Sequence, residues 1–210
     1  MSDHLILSFY LELMKLIFAT NNNNKVAEIR SVIGNRFDIL TLKEAGINID
    51  IPEPHDTLEE NASEKSATIY RMTHINCFSE DTGLEVESLN GEPGVKSARY
   101  AGDEKAFDKN IDKLLYKLAD NSNRKARFRT VISLIIDGFE TQFEGIAQGK
   151  IIDNLRGNKG FGYDPVFVPD GDSRTFAEMD MEEKNIYSHR RKATEKLIAF
   201  LNTLELNQRN

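Results

Sequence analysis

The sequence contains very little cysteine, and this scarcity excludes several kinds of site. Cys77 is the only cysteine in the 210 residues, so a disulfide-stapled fold and a thiolate zinc site are both excluded. It lies in the apolar segment 75–78, where a buried and unreactive thiol is the simplest interpretation. His4, His55 and His74 do not have the spacing of metal ligands either. This cysteine usage favours a cytoplasmic location.

An excess of positive charge and long apolar runs are also missing. Lys and Arg number 27 against 34 Asp and Glu, which gives a net charge of -7. A surface for duplex nucleic acid needs clustered Lys and Arg, so no nucleic-acid partner is expected. No apolar run approaches the length of a membrane span, so no membrane partner is expected. A small anionic substrate stays compatible with this charge, because it needs only a local basic pocket.

Residues 1–13 are expected to be a non-native or disordered extension of the fold. They include an apolar stretch at 5–11 but lack the basic region and the small-residue cleavage site of a signal peptide. Met14 directly precedes an apolar segment that begins at Lys15, and it is the expected natural start. Residues 14–210 are then expected to form a single domain.

The adjacent acids Glu80 and Asp81 are the feature around which the other motifs can be arranged. They follow the apolar segment 75–78 and precede Thr82-Gly83, so the sequence predicts a strand that ends in an acidic turn. Burying one unpaired carboxylate costs on the order of several kcal/mol, so such acids are expected to face water, a cation or a metal. Mg²⁺ suits them, because it takes one or two carboxylates and leaves its other positions to water and phosphates. A solvated acidic turn is the alternative.

The segment after the first predicted strand has the features of an anion site. A strand is predicted at 15–20, and the polar run 21–25 leads into a helix whose apolar face starts at Val26. Free backbone N–H groups and the helix dipole favour an anion at such a point, and Lys25 adds a positive charge. Capping asparagines beside a surface lysine are the alternative. The glycines and the Lys-Ser/Thr pair of a Walker A loop are absent.

Two isolated charges in the next segment are candidates for the same site. Glu53 stands between two prolines, so it is stiffly presented as either a loop charge or a metal ligand. A helix is predicted over 57–73 with a capping box between Thr57 and Glu60. Lys65 lies inside this helix, where it is either a surface lysine or a phosphate contact.

Two segments near the C-terminus are candidates for contacts with a flat ligand. The glycines around Phe161 let backbone approach such a ligand while the ring stacks on it, although a loop filler would look the same. Ser188 is predicted to cap the last helix, which places His189 and Arg190 in its first turn. Cations oppose the dipole there, so an anion or polar ligand is expected beside them.

The remaining patterns predict further helices and strands. Apolar residues at helical spacing predict a core helix over 108–118, and strands are predicted at 37–42, 127–136 and 139–152. Alternation over 47–51 is typical of a further short strand. Asp137-Gly138 predicts a hairpin between the two long strands. Gly145 and Gly149 indicate bulges or the close approach of another backbone.

In this order, the motifs resemble the inosine/xanthosine triphosphate pyrophosphatase family, which removes noncanonical purine nucleotides. The resemblance runs from residue 14 to about residue 204, through segments 20–25, 59–62, 80–84, 94–102, 160–165, 183–185 and 188–190. One departure is Asn21, where many members carry glycine. Asn can take a similar backbone conformation, so little is put in doubt.

The resemblance implies an α/β fold with a long mixed central sheet flanked by helices, and two lobes around a substrate cleft. It also implies a homodimer, a Mg²⁺ requirement, and hydrolysis of ITP, dITP or XTP to the monophosphate and pyrophosphate. Matched positions imply that Asp81 activates water and that Glu53 and Asp81 bind the metal, with Glu80 a further metal candidate. The implied phosphate contacts are Thr20, Asn21, Asn22, Asn23, Asn24, Lys25, Lys65 and Thr82. The implied nucleoside contacts are Phe161, Gly162, Tyr163, Asp164, Lys184, His189 and Arg190.

Two other functions remain open at the level of sequence. A nucleotide-binding regulator without turnover would keep the polar loop and Phe161 but would not need Asp81 with Glu53. A related pyrophosphatase for pyrimidine or modified nucleotides would keep the acids and change the base pocket. Lys184 and Arg190 carry only hydrogen-bond donors, which favours a 6-keto purine over adenine.

Overall fold

The computed structural model describes residues 14–35, 37–102 and 106–208. The extension expected at residues 1–13 lies outside these residues. Within them, a seven-stranded mixed sheet forms the centre, as expected. Its strands are β1 (Lys15–Phe18), β2 (Asp38–Thr41), β3 (Cys77–Val86), β4 (Pro93–Gly94), β5 (Lys125–Ile136), β6 (Phe139–Ile151) and β7 (Phe167–Pro169).

The strand order is β2-β1-β3-β5-β6-β7, and the short β4 pairs with β3 outside this path. Strand β1 runs parallel to both β2 and β3. All other pairs are antiparallel, and β5 with β6 form the predicted hairpin through Asp137 and Gly138, both with positive φ. The α/β fold with a mixed, curled central sheet is therefore confirmed.

The sheet is flanked by α1 (Asn23–Ile33), α2 (Leu58–Thr73), α3 (Phe107–Leu118), α4 (Met181–Tyr187) and α5 (His189–Gln208). The predicted caps are present. The Thr57 side chain accepts from the Glu60 N–H at 3.2 Å, and Ser188 Oγ accepts from the Arg191 N–H at 3.3 Å. None of the helices in the described part of the chain is long and apolar enough to cross a membrane.

Two large apolar clusters pack helices against the sheet. One packs α1 and α5 against β1 and β3, and it includes Leu16, Phe18, Ile29, Phe78, Leu197 and Leu201. The other packs α3 against β3, β5 and β7, and it includes Leu84, Leu114, Phe128, Phe167 and Phe176. Burying one such side chain stabilises the fold by roughly 1.5–3 kcal/mol.

The prediction that Glu80 and Asp81 lie in a turn is wrong. Both belong to the middle of the ten-residue strand β3, which pairs with β5 continuously from Cys77 to Val86. Gly83 is needed for close packing and not for a turn, because a Cβ there would lie 2.6 Å from the Gly94 carbonyl oxygen. Of the expected partners, which were water, a cation or a metal, both acids face cations, and Glu80 and Asp81 are only 2% and 6% exposed.

Two further expectations about local structure are decided by packing. The segment 47–51 forms no strand; Ile47, Ile49 and Ile51 alternate because they pack, half-buried, onto the cluster around Leu42 and Ile69. Close approach, not a bulge, explains Gly145, which stays in register opposite Thr130. A Cβ at Gly145 would lie 2.0 Å from the carbonyl oxygen of His189.

The single cysteine is buried in β3, as the sequence predicts. Its Sγ lies 3.3 Å from the carbonyl oxygen of Ser66. Burial raises the pKa of the Cys77 thiol to about 12. Since the thiolate is the reactive form, this thiol is inert at neutral pH.

Candidate active site

A cleft of about 570 Å³ takes its apolar lining from Leu84 and Phe128 of the cluster around α3 and from Ala19 and Leu42 of the smaller cluster that includes Ile69. This volume is within the range of small-molecule sites, roughly 300–1,000 Å³. Its lining contains all the site residues predicted from sequence apart from Glu80, namely Thr20, Asn21, Asn22, Asn23, Asn24, Lys25, Glu53, Lys65, Asp81, Thr82, Phe161, Gly162, Tyr163, Asp164, Lys184, His189 and Arg190. The fold therefore brings these residues together, whereas their individual roles stay predictions.

The polar loop after β1 begins helix α1, as predicted. The Asn22 side chain caps the helix and accepts from the backbone N–H groups of Asn24 at 3.0 Å and Lys25 at 3.3 Å. The Asn22 N–H donates to Thr20 Oγ1 at 3.2 Å, and the Asn21 side chain donates to the Ile49 carbonyl at 2.9 Å. The cap thus engages two of the N–H groups that were expected to face an anion. Lys25 supplies the positive charge of this end of the cleft.

Glu53 and Asp81 converge on a single cation, the buried ammonium of Lys65. Lys65 Nζ lies 2.6 Å from Glu53 Oε1 and 3.1 Å from Asp81 Oδ1. Arg99 adds a longer contact of 3.4 Å to the other oxygen of Glu53. Lys65 comes from the middle of α2 and Asp81 from β3, so the packing of this helix on the sheet creates the group.

The same carboxylates fit what Mg²⁺ takes from a protein in a phosphate site. In the described residues, no group of three or more His, Cys, Asp or Glu side chains could hold a metal ion. Mg²⁺ needs only one or two carboxylates when water and phosphate oxygens complete its shell. Glu53 and Asp81, already within reach of one cation, meet that requirement.

Burial and neighbouring charges shift the pKa values of Asp81 and Glu53 in opposite directions. Burial raises the pKa of Asp81, and the nearby Lys65 opposes this only in part. Burial also acts on Glu53, but Lys65, Lys25 and Arg99 outweigh it and lower its pKa to about 2. Burial disfavours the charge on Lys65, yet Asp81 and Glu53 raise its pKa, so it stays an ammonium. Asp81 is therefore the more basic carboxylate of the pair.

At the other end of the cleft, Lys184 is held beside the ring of Phe161. Its ammonium lies 5.4 Å from the Phe161 ring centroid and donates to Asp164 Oδ2 at 2.7 Å and to Glu28 Oε1 at 2.8 Å. The Phe161 N–H also donates to Asp164 Oδ2, at 2.9 Å. Gly160 is required here, because a Cβ would lie 2.1 Å from that carboxylate oxygen. Tyr163 donates to the Ser97 carbonyl at 2.9 Å.

The anions expected beside Arg190 come from the protein itself, while its contact with a ligand stays a prediction. Its guanidinium is 1% exposed and bonds to two buried carboxylates of the protein itself. Nε donates to Glu80 Oε2 at 2.6 Å, Nη2 to Glu80 Oε1 at 3.1 Å, and Nη1 to Glu28. Burial acts to raise the pKa of Glu80, but Arg190 and Lys25 outweigh it and hold that pKa at about 2. Both oxygens of Glu80 are engaged, so a metal would have to displace these cations.

His189 is a neutral ring in an aromatic stack. Its ring centroid lies 4.7 Å from that of Phe128, and the two rings are inclined by only 13°. Burial, and then the charges of Arg190 and Lys184, lower the pKa of His189 well below its usual value. Its Nδ1 is buried and has no hydrogen-bond partner among the residues that the structure describes.

Sequence reasoning missed Glu28, which is 4% exposed and bonds to both Lys184 and Arg190. It lies on α1, which had been analysed only for its apolar face. The available signal was the pair of cations at the end of the chain, because buried cations need carboxylate partners. Thr130 was also missed; it is fully buried, and its Oγ1 lies 2.6 Å from Oγ1 of Thr82, which lines the cleft.

Comparisons with known proteins identify the family of this chain. A family model described as the Ham1 family matches residues 16–200. The dITP/XTP pyrophosphatase of Flavobacterium johnsoniae is 49% identical over 188 residues, which are 90% of this chain and 98% of that protein. The dITP/XTP pyrophosphatase of Porphyromonas gingivalis is 50% identical over 188 residues, with 89% and 97% of the two chains covered.

Solved structures show the same fold. The Staphylococcus aureus Ham1 protein superposes with a TM-score of 0.82 at 38% identity and covers 90% of this chain and 98% of its own. A HAM1 protein from Coxiella burnetii gives 0.83 at 35% identity, with 91% and 100% covered. The resemblance seen in the sequence motifs is thereby confirmed at the level of the family. The chain belongs to the Ham1 family.

Proposed function

We propose that this protein is a Mg²⁺-dependent pyrophosphatase that hydrolyses the noncanonical purine nucleotides ITP, dITP and XTP, and so cleanses the nucleotide pool. The products are the nucleoside monophosphate and pyrophosphate. The names of the relatives support the reaction, because they are described as dITP/XTP pyrophosphatases. The observation that carries the proposal is one cleft whose lining joins the pair Glu53 and Asp81 to the aromatic and cationic group around Phe161.

In the proposed reaction, Asp81 is the general base. Its buried carboxylate accepts a proton from water, whose oxygen then bonds to phosphorus as the α–β phosphoanhydride bond breaks. A raised pKa suits this role, since it makes the carboxylate a better proton acceptor. Lys25 and Lys65 line the cleft and place positive charge beside the developing phosphate charge.

Glu53 and Asp81 would hold the Mg²⁺ ion through carboxylate oxygens. When bound, Mg²⁺ neutralises charge on the phosphate oxygens. Lys65 bonds to both carboxylates, and its ammonium would balance part of their charge and of the phosphate charge in the same site. Thr82, which lines the cleft, offers its hydroxyl group to the same phosphates, and the buried hydroxyl group of Thr130 bonds to it.

At the nucleoside end, the base would stack on Phe161 while hydrogen bonds at its edge provide selectivity. Stacking accepts any base, because every base has a π-face. Lys184 uses two of its three N–H groups on Glu28 and Asp164, which leaves one donor for an acceptor such as O6 of a 6-keto purine. The 6-amino group of adenine would face that donor with another donor, at a cost of about 1–3 kcal/mol for each unpaired group.

A nucleotide panel with Mg²⁺, scoring pyrophosphate separately from phosphate, tests the proposal. We expect turnover of ITP, dITP and XTP to pyrophosphate, poor turnover of GTP and very poor turnover of ATP. Comparable kcat/KM for ATP and ITP would refute the base pocket. Tight nucleotide binding without turnover would instead favour a regulator.

Two further properties follow from the resemblance and the composition. We propose that the protein is a homodimer, as the family resemblance implies, and that it works in the cytoplasm, as the single cysteine favours. Light scattering at micromolar concentration measures the oligomeric state, and a monomeric mass would contradict the dimer.

A further inference from the structure

A chain of alternating charges runs through the interior beside the cleft. It starts at Lys25, passes through Glu80, Arg190, Glu28 and Lys184, and ends at Asp164. Each member bonds to the next, so the ion pairs connect the lysine of the polar loop to the carboxylate that holds the Phe161 loop. These six side chains contribute three positive and three negative charges, which balance within the network.

Within this network, Glu80 bonds to one cation from each end of the cleft. Lys25 Nζ lies 3.0 Å from Glu80 Oε1, and Arg190 Nη2 lies 3.1 Å from the same oxygen. The second oxygen accepts from Arg190 Nε at 2.6 Å. One carboxylate therefore fixes the positions of two cations, one from the start of α1 and one from the start of α5.

Glu80 cannot act by touching a ligand. Its side chain is 0% exposed, and it is absent from the lining of the cleft, whereas Lys25 and Arg190 both line it. It can influence binding only through the two cations that it holds. Removing a carboxylate from such a pair leaves buried positive charge without its partner, which displaces the cation or draws in water.

We propose that Glu80 is a positioning residue that serves both ends of the cleft, holding Lys25 for the phosphates and Arg190 for the nucleoside end. This inference rests on the proposed function. It replaces a metal-binding role for Glu80 with an electrostatic one. It also explains why an acid that faces no solvent stands beside the proposed general base Asp81.

The test separates the two halves of a nucleotide. NMR titration measures Kd for inorganic pyrophosphate with Mg²⁺ and, separately, for inosine. The proteins compared are the wild type, Glu80→Gln, Lys25→Met, and Glu85→Gln as the matched control. Glu85 lies on the same strand and pairs with Arg127 and Arg129, but it is absent from the lining of the cleft.

We expect Glu80→Gln to raise the Kd of pyrophosphate and the Kd of inosine by about fivefold or more, which is the lower end of typical coupling between sites. Lys25→Met should weaken the binding of pyrophosphate alone, and Glu85→Gln should change the Kd of neither probe. The double variant with Lys25→Met and Glu80→Gln should bind pyrophosphate no worse than the weaker single variant, because both changes remove the same interaction. If Glu80→Gln fails to fold, Glu80→Asp replaces it in the test. The aspartate side chain is too short to hold both cations, so this variant is expected to weaken the binding of both probes.

Each other outcome has a distinct meaning. If Glu80→Gln weakens the binding of neither probe, or of only one, the positioning role is refuted while the proposed function stands. If it weakens both but the wild type does not hydrolyse ITP, the proposed function fails and the positioning role stands. Wild-type protein that binds neither probe would refute both.

Discussion

The two carboxylates that share Lys65 differ in what they can do for a reaction. Asp81 is buried in β3 and has a raised pKa, whereas Glu53 stands on a loop and is held ionised by surrounding cations. The more basic group is the better proton acceptor, and the more acidic one is the better permanent anion. Their unlike surroundings therefore assign the two acids different tasks.

Substitution of Asp81 by Asn tests this assignment. An amide cannot accept the proton of water, so pyrophosphate release from ITP should fall by about a hundredfold or more, within the usual range for general base catalysis. The fold should survive, because Lys65 keeps its 2.6 Å contact with Glu53. Asp112→Asn, at an exposed position of α3, is the control. A rate close to that of the wild type would show that another group is the base.

The buried His189 predicts how stability depends on pH. Its folded pKa lies well below 6.5, so the unfolded chain binds a proton that the folded chain does not. This contribution to stability is complete above the unfolded pKa of about 6.5 and is lost as the pH falls from there towards the folded pKa. Since burial is the largest cause, replacing the imidazole by a ring that cannot be charged should remove the effect.

Melting curves of the wild type and His189→Phe from pH 8 to pH 5 measure this difference. The phenyl ring can keep the stack on Phe128, and it has no proton to gain. We expect the Tm of the variant to fall less than that of the wild type over the acidic part of the range. Parallel curves would show that His189 is not the group responsible.

At the scale of elements, the contact between β6 and α5 places two site residues. Gly145 has no side chain, which allows the carbonyl of His189 and the N–H of Ala193 to lie directly over the strand. The first turn of α5 therefore rests on backbone, and its His189 and Arg190 side chains extend into the cleft lining. Neither atom near Gly145 belongs to a flexible side chain, so a methyl group there cannot be accommodated locally.

Gly145→Ala should therefore disturb both stability and the site. The added Cβ would lie 2.0 Å from the His189 carbonyl oxygen, so the turn must move. We expect a loss of about 1–3 kcal/mol in the free energy of unfolding, as is usual for an overpacked contact, together with reduced turnover. Chemical denaturation measures the first. Gln148→Ala, at an exposed position of the same strand, should leave both unchanged.

At the scale of the whole molecule, the cleft joins residues 20–25, at the start of α1, to the Phe161 loop. The apolar side chains of α1 pack in one of the two large clusters and those of α3 pack in the other. A ligand that binds only the folded state stabilises it in proportion to the logarithm of its concentration over Kd. If residues 14–210 are a single domain, both clusters should unfold together in its presence and in its absence.

Calorimetry with a non-hydrolysable ITP analogue and Mg²⁺ tests this prediction. At a hundred times Kd, the analogue should add about 2.7 kcal/mol to the free energy of unfolding, with one transition throughout. The corresponding ATP analogue at equal concentration is the control and should shift Tm less. Two transitions, only one of them shifted, would show that the clusters are separate domains.

Local patterns in the sequence predicted several of the elements, and the motifs predicted most of the polar residues that line the cleft. Strand β1, the Asn22 cap and α1 follow from apolar periodicity and from cap chemistry, which act between neighbours in the chain. The hairpin at Asp137-Gly138 was predicted for the same reason. Polar residues at the ends of these elements meet in one cleft, because the fold places those ends side by side.

Which charges are buried, and which groups pair with them, depends on contacts between distant parts of the chain. Glu80 was expected in a turn because a Thr-Gly pair follows it closely in the sequence, yet β5 holds it inside a continuous strand. Its partner Arg190 is 110 residues away, and Glu28 meets the same guanidinium from 162 residues away. Such pairing is invisible to local patterns, since the cost of burying a charge depends on groups that only folding brings within bonding distance.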